Sequence, residues 1–357
     1  MKSAKIRSVL ALLGTNLFLI CIALIGLELL FGDWFSKWVA PYGAVVDREF
    51  AYRQHIYEPE GLVLYRRDQF GLRGVRVPLD EVDVVTVGGS TTDQRFLSEG
   101  QTWQDVIQDA SGIRVANAGV DGLSSTGHLV AVREWLHFLP GLRPRYYLHF
   151  IGVNDAIYVD LLVKNNPRDA EKLRALLEKQ RPQHSLSRTI RARSAVIRSW
   201  LRMTAWLAGP PAIISTPVAQ RTGPPETRAR VDPAVISDFI AKVFRPNLRE
   251  LIGLHGERGE HAIFVSQAGH PLLVRREGDA IFSVAGMEFW AVALAMMNDN
   301  TKAVCDERPS RCTFIDLAGE LKLDPGDFYD FVHATPAGAR RIGSYLADKL
   351  QTMEKIR

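Results

Sequence analysis

The stretch VDVVTVGGSTTD, Val82–Asp93, decides the fold. Its first half is a Val-rich apolar run of the kind that forms a buried strand. The run breaks at Gly88-Gly89, which permit a tight turn and a close backbone approach, so Ser90 is presented at the strand's carboxyl end. A serine held there can act as a nucleophile. Gly-Gly-Ser-Thr is also an ordinary turn or helix N-cap, and the surrounding chain has to decide between the two.

Working outward, Trp103, Val106 and Ile107 within Gln101–Ala110 have helical spacing, and Ile113–Asn117 reads as a strand leading into the turn NAGVDGLSS, Asn117–Ser125. Leu129, Val132, Trp135, Leu136 and Leu139 share a helix face ended by Pro140-Gly141. Arg145–Ile151, RYYLHFI, is a strand that stops at Gly152-Val153-Asn154-Asp155. Beyond an interruption over 156–230 the pattern resumes. Helices are expected at Val235–Leu254, with a kink at Pro246, and at Met287–Cys305 and Ala337–Leu350; strands are expected at His261–Ser266 and Thr313–Leu317. This alternation predicts a three-layer, doubly wound, flavodoxin-like α/β fold with a five-stranded parallel sheet. Such sheets bind ligands outside the carboxyl ends of their strands. Ser90, Gly122 and Asn154 follow the first three strands, and Asp330 and His333 follow the fifth, so all five fall on one edge.

That convergence has a chemistry. A serine hydroxyl needs a base in hydrogen-bond reach, and the base needs a group that fixes its tautomer. DFYDFVHATPAG, Asp327–Gly338, supplies His333 as base and Asp330 as orienting acid. Asp324 and Asp327 lie close enough in sequence to be rival acids, and Asp93 and Asp155 are candidate supporting groups. The oxyanion of an acyl-transfer intermediate calls for preorganised donors: the N–H groups of Ser90 and Gly122 and the Asn154 amide. His128, His149 and His270 read as structural.

At these residues the chain resembles the SGNH/GDSL hydrolase superfamily. Four blocks carry the resemblance: Ser90 in VGGSTT, Gly122 in NAGVDGLSS, Asn154 in GVND, and Asp330 and His333 in DFVH. It implies a nucleophilic Ser90, oxyanion donors Gly122 and Asn154, and His333 with Asp330. The usual Gly-Asp-Ser is Gly-Gly-Ser here, Gly89 standing in place of the acid. This departure resembles a bacterial, membrane-anchored branch with a GGSTT block after a D-x-F-G-x-R-G lead-in, which Asp68–Gly74, DQFGLRG, matches. The resemblance spans 65–155 and 260–350 and leaves the segment between unexplained.

At the N-terminus, Lys2, Lys5 and Arg7 precede an uncharged run from Ser8 to Leu27, and Glu28 is followed by Leu29–Phe31. As a helix, about 20–24 such residues span about 30–36 Å, enough for a bilayer core. Trp34 and Trp38 suit the interface, and the basic N-terminus predicts a cytoplasmic start with the body translocated. A cleaved signal peptide would have a shorter apolar core and a small-residue cleavage site. The expected organisation is therefore a cytoplasmic 1–7, a single-pass anchor 8–31, an extended lead-in 32–80 and an α/β domain 81–350 with a basic insertion over 156–230.

Within that insertion, Arg181–Arg230 holds nine Arg, no Lys and one acid, Glu226, a charge of +8 that the rest of the chain offsets to a net +4. Lys172–Lys179 reads as a charged helix. Ala195–Leu207 reads as an amphipathic one, with Val196, Ile197, Trp200, Leu201 and Trp206 opposite Arg198 and Arg202. It fits a helix capping the domain, or one touching anionic lipid, or a site for a polyanionic substrate. Residues 209–233 read as a mobile linker.

The net charge is too small to imply a nucleic-acid partner, no phosphate loop is present, and no Cys/His cluster suggests a metal, so neither cofactor nor metal is expected. Cys305 and Cys312 suit a disulfide in an oxidising compartment, and equally suit two small buried hydrophobes. The resemblance and the anchored topology together imply an esterase on the periplasmic or extracellular side of the plasma membrane. It would cleave a short acyl ester, such as acetyl, on a cell-envelope or extracellular glycan or on a small ester substrate, through an acyl-Ser90 intermediate. The same residues could instead pass the acyl group to a sugar hydroxyl. A binding or assembly factor on the same fold is the third reading, and the intact triad argues against it.

Overall fold

The computed structural model describes residues 2–41, 46–74, 78–164, 167–182, 185–208, 213–215, 233–270, 275–277, 280–282 and 288–356. In chain order the helices are α1 (Lys2–Phe31), α2 (Ser90–Asp93), α3 (Trp103–Ser111), α4 (Ser125–Val130), α5 (Val153–Lys164), α6 (Pro167–Gln180), α7 (Leu186–Arg193), α8 (Ala195–Ala208), α9 (Pro233–Phe239), α10 (Arg245–Glu257), α11 (Glu288–Asp306), α12 (Leu317–Glu320) and α13 (Pro336–Ile356). The strands are β1 (Arg48–Gln54), β2 (Gly61–Arg67), β3 (Val84–Gly88), β4 (Val115–Asn117), β5 (Tyr146–Phe150), β6 (Ile213–Ser215), β7 (His261–Val265), β8 (Arg275–Glu277), β9 (Ala280–Phe282) and β10 (Cys312–Ile315).

The chain divides into two compact units, Met1–Lys37 with His184–Pro211, and Trp38–Gln183 with Ala212–Arg357. The larger unit is built on a five-stranded sheet of order β10-β7-β5-β3-β4. Every pairing is parallel, with Val84 opposite Val115 and Tyr146, Tyr146 opposite His261, and Ala262 opposite Cys312. This is the flavodoxin-like order, with β3 and β5 flanking the point where the connections reverse.

Strands buried on both faces read as near-continuous apolar runs, and β3, β5 and β7 are buried at every position, with Thr86, His149 and His261 as buried polar members. Alternation then deals their side chains to two layers. Val84, Tyr146, Leu148, Phe150, Ile263 and Val265 pack with Trp103 and Ile107 of α3 and with Ile342, Leu346 and Leu350 of α13. α3 starts with a Thr102–Asp105 capping box and stops at Gly112, whose φ is 74°.

His149 points to the other face. It meets His128 of α4 (Nδ1 to Nδ1, 3.0 Å) and His255 of α10 (Nε2 to Nε2, 2.9 Å). Burial pushes His128 down to about 3, His149 well below the ordinary imidazole range and His255 below it, so the three rings are held neutral.

The structure departs from expectation in the lead-in and in the stretch read as a linker. The lead-in is not merely extended: β1 and β2 form an antiparallel hairpin, and β6 adds to β1 in parallel. β6 lies inside the stretch read as a linker; 209–212 and 216–232 lie outside the described residues. The helix expected over Val235–Leu254 runs from α9 through a π-helical turn at Ile240–Phe244 directly into α10, and Pro246, which has no N–H to give, lies just after that turn.

The amphipathic helix, α8, groups with α1, and its Trp200 is 59% exposed. In α1, Leu10–Phe31 is 22 residues of mean hydropathy 2.4, long and apolar enough to cross a membrane, and it is unburied. Cys305 and Cys312 are joined by a disulfide, with Cα atoms 5.2 Å apart.

Candidate active site

Ser90 opens α2 directly after β3, behind Gly89 with φ −82° and ψ −147°. The first N–H groups of a helix have no acceptor within it, so the Ser90 N–H is available to a ligand. His333 reaches this turn from the far end of the sequence, its Nε2 2.7 Å from Ser90 Oγ. Its Nδ1 lies 2.7 Å from Asp330 Oδ2. The other Asp330 oxygen accepts the N–H groups of Val332 (2.9 Å) and His333 (2.8 Å), which fixes the carboxylate before the imidazole meets it. Burial works to raise the Asp330 pKa, but the His333 hydrogen bond and charge and these two N–H groups outweigh it and hold the carboxyl below its usual range. An ionised Asp330 makes Nδ1 the protonated nitrogen of His333, leaving Nε2 free to accept the Ser90 proton. The Tyr329 ring stacks on the imidazole, nearly coplanar at 6° with centroids 5.5 Å apart, and Tyr57 stacks behind it at 5.8 Å. The His333 side chain is 24% exposed, so the site opens to solvent.

Beside Ser90 lies the loop Gly122–Ser125, whose backbone is pinned residue by residue from two helices. Gly122, with φ 83°, gives its carbonyl to the Tyr158 hydroxyl (2.6 Å), and Leu123 gives its carbonyl to Asn154 Nδ2 (2.9 Å). The Ser124 N–H and Oγ donate to Gln180 Oε1 (3.1 and 2.7 Å). Ser125 N–H donates to the Asp155 carboxylate (2.9 Å), and Ser125 Oγ also takes a bond from Asn247 Nδ2 (3.0 Å). Burial pushes Asp155 up to about 7 against the pull of the Ser125 donors. Asn154 is buried and comes so near Gly89 that a Cβ there would lie 1.9 Å from its Nδ2. The absence of a side chain at 89 is what admits the amide.

A second support lies under the nucleophile turn. Asp93, closing α2, accepts from Tyr65 Oη (2.7 Å) and pairs with Arg67 (2.7 Å), and Arg67 also donates to the Gly71 and Gly119 carbonyls. Arg73 donates to the carbonyls of Asp93 and Leu97 and pairs with Glu99 at 3.1 Å. In the DQFGLRG stretch, Asp68 Oδ1 takes the N–H groups of Phe70 and Leu72 (both 2.9 Å), so the motif folds itself and aims Arg73 at the turn.

Ser90, His333 and Asp330 therefore meet, with Gly122 on the neighbouring loop and Asn154 at the start of α5 reaching that loop through its amide. Of the rival acids, Asp327 caps a short turn and pairs with Arg341, as Asp324 does at 2.7 Å. Gln180, Tyr158, Tyr329 and Arg67 were not singled out from the sequence. The arrangement can deprotonate a serine and place N–H donors beside the atom it attacks.

For metals, His137, His255 and Glu260 bring ligand atoms within 4.8 Å of one another at the opposite edge, before β7. Here they are hydrogen-bonded: His137 Nε2 and His255 Nδ1 share one Glu260 oxygen (3.0 and 3.1 Å), and Arg258 holds the other at 2.9 Å.

No family model and no curated protein matches the sequence. Among solved structures the chain is similar to the acetylxylan esterase Axe2 from Geobacillus stearothermophilus, with TM-score 0.41 and 12% identity over 74% of this chain and 92% of that one. A GDSL-like lipase from Bacteroides thetaiotaomicron gives 0.40 and 12% over 78% and 94%. LAE5, an alpha/beta hydrolase enzyme from the Lake Arreo metagenome, gives 0.40 and 15% over 76% and 97%. Likeness of this degree leaves the function to be read from the site itself.

Proposed function

We propose that the protein is a membrane-anchored, exported serine esterase. It removes a short acyl group, acetyl by preference, from a cell-envelope or extracellular glycan through an acyl-Ser90 intermediate. The observation that carries this reading is the chain Ser90 Oγ–His333 Nε2 and His333 Nδ1–Asp330, each link 2.7 Å. In the first step His333 takes the hydroxyl proton as Ser90 Oγ bonds to the ester carbonyl carbon. The negative oxygen that forms is met by the N–H groups of Ser90 and Gly122 and by the Asn154 amide. His333 then returns the proton to the departing sugar oxygen, and water repeats the sequence to release the acid and free Ser90.

Anchoring is supported by the unburied span of α1 and by Glu28 within it, whose carboxylate accepts the N–H groups of Ala195 (3.0 Å) and Val196 (3.1 Å) at the start of α8. A leader removed by cleavage would take that cap with it. Export is supported by the basic residues before the span and by the Cys305–Cys312 disulfide, a bond that persists in oxidising compartments. The DQFGLRG lead-in and GGSTT block fit the anchored branch that the sequence resembles.

The test uses full-length protein in detergent, offered p-nitrophenyl acetate and then acetylated polysaccharides with release of acetate followed. Wild type hydrolyses both and Ser90→Ala neither. Turnover of the small ester with no acetate from any glycan would remove the glycan substrate. Acetate retained on an added sugar acceptor would replace hydrolysis by transfer.

A further inference from the structure

In the smaller unit, α8 is bound to α1 by two charges that each satisfy the other helix's end. The Glu28 carboxylate sits on the first N–H groups of α8, takes the Ser194 hydroxyl and accepts from Trp34 Nε1 at 2.7 Å. In return, Arg198 on α8 donates to the carbonyl of Phe31, the last residue of α1 (2.9 Å), and to that of Ala192 near the end of α7 (2.7 Å). The Asp33 N–H adds a bond to the Arg193 carbonyl at 2.8 Å. An acid on a helix N-terminus and a guanidinium on the carbonyls of two others are each favourable with the helix dipole. The start of α8 is thereby fixed at the carboxyl end of the span.

The outward stripe of α8 is apolar. Trp200, Met203 and Leu207, at i, i+3 and i+7, are 59%, 46% and 67% exposed, and it adjoins a span that is itself unburied. Between His184 and Pro211 the chain carries Arg188, Arg191, Arg193, Arg198 and Arg202 and no acid. An amphipathic helix rich in Arg, with Trp and Leu on its apolar face and tied to a membrane span, has the composition of one lying in the lipid interface.

We propose that α7 and α8 lie in the headgroup layer of an anionic bilayer, the Trp200–Met203–Leu207 stripe in the acyl boundary and Arg191 and Arg202 among lipid phosphates. This rests on the anchored reading of α1. It gives the span a second, lateral attachment: the Glu28 and Arg198 contacts hold the pair at one depth, and the arginines favour leaflets of negative charge.

The test places full-length protein, in a Cys21→Ser background, in bilayer discs of phosphatidylglycerol or phosphatidylcholine. A thiol-reactive environment-sensitive fluorophore is attached through Met203→Cys, or through Leu207→Cys should the first variant fail to fold. A parallel Leu17→Cys label reports on α1. Spin-labelled lipids quench from a shallow or a deep acyl position. In phosphatidylglycerol the position-203 label should emit to the blue of its aqueous value and be quenched more by the shallow than by the deep lipid. The Leu17 label should be quenched more by the deep one. The Arg191→Glu/Arg202→Glu variant should weaken the position-203 quenching in phosphatidylglycerol and leave Leu17 unchanged. A quenched Leu17 label beside an unquenched label at 203 overturns this proposal alone, whether the stripe is wet or covered by protein. An unquenched Leu17 label overturns the anchored reading itself. Equal shallow quenching in the two lipids overturns the requirement for negative charge.

Discussion

Gly89→Ala should disable the enzyme while leaving it folded. The φ at 89 is −82°, on the side of the map that an alanine occupies, and the contact its Cβ would make is what decides the outcome. A Cβ there would lie 1.9 Å from Asn154 Nδ2 and 3.2 Å from its Cγ, with the Leu123 carbonyl at 3.5 Å. Contacts under 3.0 Å are essentially never seen, and the loop carbonyl has room, so the amide is what must yield. It has to retreat by about 1 Å, and a displacement of that size at a reacting centre costs about 100-fold. Loss of the donor altogether costs about 10²–10³ in kcat, or about 3–4 kcal/mol of transition-state stabilisation. The assay is p-nitrophenyl acetate turnover by Gly89→Ala, Asn154→Ala and the double variant, with thermal melts alongside. Once Asn154 is truncated the added methyl has space, so the double variant should match Asn154→Ala, and the effects should not multiply. Full activity in Gly89→Ala would refute this reasoning, as would losses that multiply in the double variant.

Asp330→Asn keeps the geometry but favours the wrong His333 tautomer, so kcat should fall by about 10³–10⁴ with little change in melting temperature. Arg67→Met leaves Asp93 charged and buried, and should cost about 3–5 kcal/mol by denaturant unfolding; a variant as stable as wild type would discount the Arg67–Asp93 pair as a support of α2. His128 is held neutral down to about 3, so the unfolded chain takes up its proton first and the folded state loses ground as pH falls below about 6.5. His128→Leu removes that liability, so its stability deficit against wild type should shrink by about 2 kcal/mol between pH 7 and 5. A constant deficit would show His128 titrating normally.

Much of the fold can be read in the chain because strands buried on both faces are compositionally distinct. VVTVG and YYLHF could be placed from their side chains, and residues just past such strands necessarily share an edge. Ser90, Asn154 and His333 were visible for that reason. The hairpin at 48–67 was not, because GLVLYRR turns Leu62 and Leu64 outward and buries Arg67, while REFAYRQ buries the neighbours Ala51 and Tyr52 together with Gln54, so neither strand alternates apolar-in and polar-out. Gln180 hid for a different cause. It meets Ser124 from 56 residues away through the end of a charged helix, and periodicity describes a helix's faces but not what its last residue reaches. The same limit applies to α8: its apolar stripe was evident, while its grouping with α1 depends on the Glu28 and Arg198 contacts.

The central claim is that Ser90 is a nucleophile activated by His333. It is tested most directly by treating the full-length protein with a fluorophosphonate and mapping the adduct by peptide mass spectrometry. The account predicts a stoichiometric adduct on Ser90, absent from Ser90→Ala and greatly slowed in His333→Ala. An unlabelled wild type, or an adduct on another residue that persists in Ser90→Ala, would contradict it.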